Sequence, residues 1–218
     1  MNVMTIQVIY FDLGNVLLSF SHEQMCRQMA DVAGVSPDLV YDVLFGSELA
    51  HSIQWQFEMG QLATAGYIDY FCQQTGTRPD RRRLEHAACD IFQPMEATAE
   101  LVRRLAAAGN RMAIFSNINP PHWHFVSDGR FPVLGAIGQP GSPFAWAVLS
   151  YEAQAMKPDR RIYDAAIQRA GVPADRIFFV DDREENVAGA RAAGIDAVQF
   201  IDCDSLVTDL RSRGVKGA

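Results

Sequence analysis

Lysine is nearly missing from this chain: of its 19 basic residues only Lys157 and Lys216 are lysine, and the other 17 are arginine. Cysteine is sparse too. Cys26, Cys72, Cys89 and Cys203 lie far apart and form no C-x-x-C pair, which argues against a zinc site or a disulfide framework. No apolar run approaches the roughly 20 residues that a membrane helix needs. The opening residues, Met1 to Gln7, lack the basic segment and apolar stretch of a secretion signal. A reduced, cytoplasmic protein is therefore expected. Positive charge is in deficit, with 19 Lys and Arg against 26 Asp and Glu and a net charge of −7. Such a surface argues against nucleic acid or an anionic membrane as the main partner.

What is present is ordinary for a packed globular protein. The 218 residues are 49% hydrophobic and 21% charged, enough for one domain carrying a modest insertion. Short, nearly continuous apolar runs mark strands buried on both faces of a parallel sheet. They are Ile6 to Phe11, Arg111 to Phe115, Ile177 to Val180 and Ala197 to Ile201, with Ala145 to Leu149 a weaker fifth. Helical stripes lie between them: Leu101, Val102 and Leu105; Ile162, Tyr163, Ala166, Ile167 and Ala170; Val187, Ala190 and Ala193. Each ends at a glycine, Gly109, Gly171 and Gly194, the expected helix stop. This alternation predicts an α/β fold, a Rossmann-like parallel sheet with helices on both faces.

The stretch from Ser19 to Gln93 breaks the alternation. It shows no convincing strand but several helical stripes, for instance Met25, Met29 and Val32, or Tyr67, Ile68 and Phe71. It reads as a small α-helical domain (19–93) inserted into a core of 1–18 and 94–218.

Ligands of an open parallel sheet sit beyond the carboxyl ends of its strands. The first strand is followed by Asp12-Leu13-Gly14-Asn15, the second by Ser116-Asn117. Lys157-Pro158 follows the weak strand, and Asp181-Asp182 with Asn186 follows the next. Each piece has a plainer reading. Asp12 before a glycine can be a turn former, Ser116-Asn117 before Pro120-Pro121 can be loop chemistry, and either member of Asp181-Asp182 can cap a helix. Yet two adjacent carboxylates repel unless a cation or solvent compensates. A lysine in so arginine-rich a chain also suggests a need for a compact ammonium.

Taken in order, VIYFDLGNVL, IFSN, Lys157-Pro158 and FFVDDREEN resemble the four motifs of the haloacid dehalogenase-like hydrolases, and the likeness spans essentially the whole chain. The helical insertion looks like the cap that many members carry after the first strand, in the subgroup that contains sugar-phosphate phosphatases. The resemblance implies a Mg2+-dependent phosphatase acting on a small phosphorylated metabolite, a sugar phosphate among the candidates. Asp12 would be the nucleophile and form an aspartyl-phosphate. Asp12, the Gly14 carbonyl and Asp182 would hold Mg2+, with Asp181 setting the geometry. Ser116, Asn117 and Lys157 would bind the transferring phosphoryl group. Asn15 would support the site from beside the metal, and Asn186 would orient Lys157 or a metal-bound water.

One position departs from that pattern. Most phosphatases of the family carry a second aspartate two residues after the nucleophile, as acid and base, and here that residue is Gly14. Positioned acid–base catalysis contributes about 100- to 10,000-fold, so a slower enzyme is implied unless another group substitutes. Two rival readings follow: a 2-haloacid dehalogenase, which needs no metal and lacks the acidic pair of the fourth motif, and a catalytically weak member that binds a phosphorylated ligand. His122 and His124 could line the entrance or be structural loop residues. Trp55, Phe57 and Met59 read as cap core, and the arginine runs at 81–83, 103–104 and 160–161 as solvated faces.

Overall fold

In the computed structural model, which describes residues 5–46 and 52–218, every predicted apolar run is a strand. From the N-terminus the chain passes through β1 (Val8–Phe11), β2 (Leu18–Phe20), α1 (His22–Ala33), α2 (Pro37–Phe45), α3 (Ile53–Glu58), α4 (Thr64–Thr75), α5 (Arg81–Cys89) and β3 (Phe92–Pro94). It continues through α6 (Glu96–Ala107), β4 (Met112–Ser116), α7 (Pro120–Ser127), β5 (Phe144–Leu149), α8 (Ser150–Ala153) and α9 (Arg160–Ala170). The last elements are β6 (Ile177–Asp181), α10 (Glu184–Ala192), β7 (Asp196–Gln199) and α11 (Cys203–Ser212).

β5, β4, β1, β6 and β7 lie side by side in that order, all parallel. β1 is central, with Tyr10 opposite Ala113 on one side and Phe179 on the other. Successive side chains of a strand point to opposite faces. Val8 and Tyr10 accordingly pack against Ile162, Tyr163 and Ala166 of α9 and Val187 and Ala190 of α10. Ile9 and Phe11 face the other way, into the layer holding Leu101, Val102 and Leu105 of α6 and Leu206 and Leu210 of α11. Both faces are covered, which is why these strands read as unbroken apolar runs rather than alternating ones. α9 shows how the sequence sets its bounds: Asp159 accepts from the Arg161 N–H at its start, and Gly171 at φ 67° ends it.

α1 to α5 occupy the stretch read as a helical insertion. Their buried apolar residues run without a break into those on one face of the sheet. The partition into 1–18 and 94–218 against 19–93 is thus proposed from chain path rather than from separate cores; residues 1–4 and 47–51 of those ranges lie outside the described residues. Where the sequence shows no strand, the structure adds two. β2 and β3 pair antiparallel, Ser19 opposite Gln93, and tie the two ends of the insertion together. Strands of three residues are too short for an alternating pattern to register. Residues 117–119 form a short loop, after which the chain turns helical: Asn119 accepts from the His122 N–H and opens α7, with proline in its first turn. Among the described residues no helix is long and apolar enough to cross a membrane.

Candidate active site

The carboxyl edge of the sheet opens into a cavity of about 330 Å3. Asp12, Gly14, Asn15, Ser116, Asn117, Lys157, Asp182 and Asn186 all line it. Asp181, fully buried, stands directly behind. Residues separated by up to 174 positions are thus brought to one place, because β1, β4 and β6 are adjacent and each ends at the same edge.

Lys157 is the electrostatic centre. Its ammonium donates to Asp12 Oδ1 at 2.9 Å, to Asp181 Oδ2 at 2.6 Å and to the Phe115 carbonyl at 2.8 Å. All three donors are engaged. The nitrogen lies 5.0 and 5.1 Å from the ring centres of Phe115 and Phe179, which close it off from water. Burial pulls the lysine pKa down, but Asp12 and Asp181 outweigh it and hold the group above the ordinary lysine value. Asp12 is pushed upward, first by burial and then by the charges of Asp181 and Asp182, with Lys157 opposing.

The remaining polar groups set this pair in place. Asp181 Oδ1 accepts from the Arg183 N–H and from Asn186 Nδ2, each at 2.9 Å. Asn186 therefore orients Asp181, and reaches Lys157 only through it. Asn117 turns both ends of its amide to one residue: Nδ2 donates to the Lys157 carbonyl and Oδ1 accepts from the Lys157 N–H, each at 2.9 Å. Its side chain therefore fixes the backbone of Lys157, and both ends of its amide are taken up in doing so. The Ser116 hydroxyl, 3.3 Å from the Asn117 carbonyl, is buried at the cavity wall. Asn15 adopts a left-handed conformation, φ 53°, which asparagine tolerates, and donates to Asp182 Oδ2 at 3.0 Å.

Oxygen atoms of Asp12, Asp181 and Asp182 lie within 4.8 Å of one another. Three carboxylates face one ammonium there, so a further positive charge is favoured, and hard oxygen donors suit a small divalent cation such as Mg2+. Asp181 already has both oxygens in hydrogen bonds, which leaves Asp12 and Asp182 as the freer ligands.

Several wall residues are absent from the sequence reading. Phe20, His22 and Phe92 line the cavity from β2, α1 and β3, and Glu58 from the end of α3. Glu58 is the sole charged residue between Glu48 and Asp69, a signal that was there to be read. Its neighbours Phe57 and Met59 are buried, Phe57 stacked on Tyr67 with ring centres 4.4 Å apart, while Trp55 is half-buried. His122 also reaches the cavity, from a helix and not a loop; His124, two residues on, is exposed. Arg81 to Arg83, Arg103, Arg104, Arg160 and Arg161 are exposed, as expected of solvated faces.

Three comparisons with known proteins bear on this arrangement. Over 174 residues, 77% of this chain and 65% of its relative, the sequence is 26% identical to Flavin mononucleotide hydrolase 1 of Arabidopsis thaliana. Over 146 residues, 66% of this chain and 61% of its relative, it is 28% identical to (S)-2-haloacid dehalogenase H-109 of Pseudomonas putida. The match thus spans less than two thirds of either relative's length. In fold it is similar to a HAD family enzyme of Bacteroides thetaiotaomicron solved with magnesium and inorganic phosphate, at a TM-score of 0.70 and 22% identity, covering 89% of this chain and 93% of that one. A family model described as haloacid dehalogenase-like hydrolase matches residues 6–194, and the chain belongs to that family of hydrolases.

Proposed function

We propose that this hydrolase is a Mg2+-dependent phosphatase that acts on a small phosphorylated metabolite through an aspartyl-phosphate at Asp12. The observation that carries the reading is the surplus of carboxylate at the sheet edge, Asp12, Asp181 and Asp182 against a single lysine. Displacing halide from carbon calls for no divalent cation and gains nothing from the acidic pair Asp181-Asp182. Moving an anionic phosphoryl group onto a carboxylate calls for concentrated positive charge. The relatives support both chemistries by name, and the site favours the second.

Asp12 and Asp182, with the Gly14 carbonyl, would hold the ion. Bound there, Mg2+ would screen the attacking carboxylate from the phosphate and help fix its orientation. Asp12, ionised at neutral pH under such a charge, attacks phosphorus without needing a base. Lys157 keeps Asp12 aimed and neutralises the phosphoryl oxygens; Ser116 and the N–H groups after β4 contact the same oxygens. Asn117, Asp181 and Asn186 keep the lysine in place. Phe20, His22 and Phe92 enclose the rest of the substrate under the helical cap, which suits a small molecule rather than a protein or nucleic acid.

The test is release of phosphate and of chloride, measured in parallel. Purified protein should hydrolyse at least one of a panel of sugar phosphates, flavin mononucleotide and aryl phosphates with Mg2+, and lose that activity in EDTA. Asp12→Asn should lower it by at least about 1,000-fold, the scale of losing a covalent nucleophile, with an unchanged circular dichroism spectrum. Chloride released from 2-chloropropionate without metal would make the protein a dehalogenase. Binding of a phosphate ester without turnover would make it a ligand-binding member.

A further inference from the structure

We propose that Glu58, carried by the helical cap, is the acid and base of this hydrolase, donating a proton to the leaving oxygen and then activating water. This rests on the phosphatase reading above and goes beyond it by naming the group that does what Gly14 cannot.

The first observation is that Gly14 is enclosed. A Cβ placed there would lie 2.7 Å from Cε1 and 3.2 Å from Cδ1 of the Phe20 ring. A carboxylate could extend from this position only by displacing the aromatic side chain that lines the cavity. The site is built around the missing side chain, so its proton-transfer group has to come from elsewhere.

The second observation is where another carboxylate stands. The cavity's acidic side chains are Asp12, Asp182 and Glu58, and the first two are committed to attack and to the cation. Glu58 is held, not loose. Gln54 Nε2 donates to its Oε1 at 2.7 Å, and the Tyr67 hydroxyl fixes Gln54 by donating to its Oε1 at 2.8 Å. Nothing among the described residues hydrogen-bonds Glu58 Oε2, which is left for a substrate or water. The backbone is anchored to the core as well. The Ser150 hydroxyl donates to the Glu58 carbonyl at 2.6 Å and accepts from the Ile118 N–H at 2.9 Å. That ties Glu58 to the very turn that carries Ser116 and Asn117. Gly60, at φ 72°, lies so close to Tyr151 that a Cβ would meet its carbonyl oxygen at 2.2 Å.

Burial raises the Glu58 carboxyl to about 7, with the Gln54 hydrogen bond and the Arg183 charge pulling the other way. Both protonated and ionised forms are then at hand near neutral pH, the condition for one group to act twice. In the first step Asp12 bonds to phosphorus, the bond from phosphorus to the leaving oxygen breaks, and that oxygen takes the proton from Glu58. In the second, ionised Glu58 takes a proton from water as the water oxygen bonds to phosphorus. The bond to Asp12 breaks, inorganic phosphate leaves, and Glu58 is protonated again.

The experiment is single-turnover kinetics of Glu58→Gln with Mg2+, on p-nitrophenyl phosphate and on an alkyl phosphate that the wild type hydrolyses. Nitrophenolate needs no proton to depart, so the variant should release one equivalent of it within about 10-fold of the wild-type rate. Phosphate release should then slow by about 100- to 10,000-fold, so that the Asp12 phosphoenzyme accumulates. With the alkyl phosphate, phosphoenzyme formation itself should slow by that factor. Glu58→Ala should regain phosphate release on addition of formate. Wild-type rates for both substrates, an equal loss of phosphoenzyme formation on both, or no response of the alanine variant to formate would each overturn the assignment. Those failures leave Asp12→Asn inactive and the phosphatase reading standing; a wild type that hydrolyses no phosphate ester removes both.

Discussion

One ammonium group compensates two buried carboxylates at the centre of this site, and both of its salt bridges are almost wholly shielded from water. Removing one partner of a buried ion pair is far costlier than the pair's net contribution, about 3–5 kcal/mol, because the other charge is left unpaired. Lys157→Met should therefore lower unfolding stability by about that amount in EDTA, read from urea denaturation, and Mg2+ should recover part of it by supplying positive charge near Asp12. Lys157→Arg should restore stability poorly and leave phosphate release at least about 100-fold below wild type, since a planar fork cannot replace a point charge among three acceptors. The scarcity of lysine in the sequence singled out this residue, and its chemistry could be read in advance. Its partners could be read only in part. Asp12 and Asp181 carried recognisable motifs, whereas Asn117 and Asn186 revealed what they hold only once the ends of β4 and β6, on either side of β1, met Lys157 at one edge of the sheet. Glu58 is masked in the sequence by the two core residues beside it, Phe57 and Met59, and by the shortness of its helix, six residues in all.

Among the elements, α7 departs most from what its sequence suggested. Ser116-Asn117 before Pro120-Pro121 can be loop chemistry, yet an asparagine followed by two prolines suits a capped first helical turn, where no N–H is missed. Being helical, α7 turns His122 inward as a strut against α5. Its Nε2 donates to the Ala88 carbonyl of α5 at 3.0 Å, and its Nδ1 accepts from Asn119 at 3.1 Å. Burial lowers its pKa to about 4. The unfolded chain takes up this proton below about 6.5, before the folded one does. The stabilisation from neutral His122 is thus complete above about pH 6.5 and is lost as pH falls towards 4, up to about 3 kcal/mol in all. His122→Gln should flatten the acid limb of the stability curve between pH 6.5 and 4; an unchanged slope relative to wild type would refute the role. β2 and β3 make the same point from the other side, since pairing between residues 18–20 and 92–94 leaves no pattern in either triplet.

At the scale of the molecule, an acidic chain gathers three of its carboxylates within 4.8 Å and offers them one lysine. A ligand that binds only the folded form stabilises it by mass action, by about 2.7 kcal/mol at 100 times its dissociation constant. For a chain of this length that amounts to a rise in Tm of about 5–10 °C. Mg2+ should produce such a rise in differential scanning calorimetry, EDTA should reverse it, and Asp182→Asn should remove most of it. An equal shift in wild type and variant would place the ion elsewhere. The helices α1 to α5 join the same calculation, because their apolar residues share one continuous cluster with a face of the sheet, so they and the sheet are expected to melt together.

The sequence by itself determined the parallel sheet, the strands that compose it and the identity of the groups at their carboxyl ends. Those properties depend on consecutive residues: a run of apolar side chains, a period, a glycine after a stripe, an acid after a strand. Only the tertiary structure decided that Phe20 closes over Gly14, that Glu58 lines the same cavity as Asp12 and that His122 braces α5. The first follows from the pairing of β2 with β3, and the other two join segments far apart in the chain as helices pack on a sheet, so no local pattern of residues encodes them.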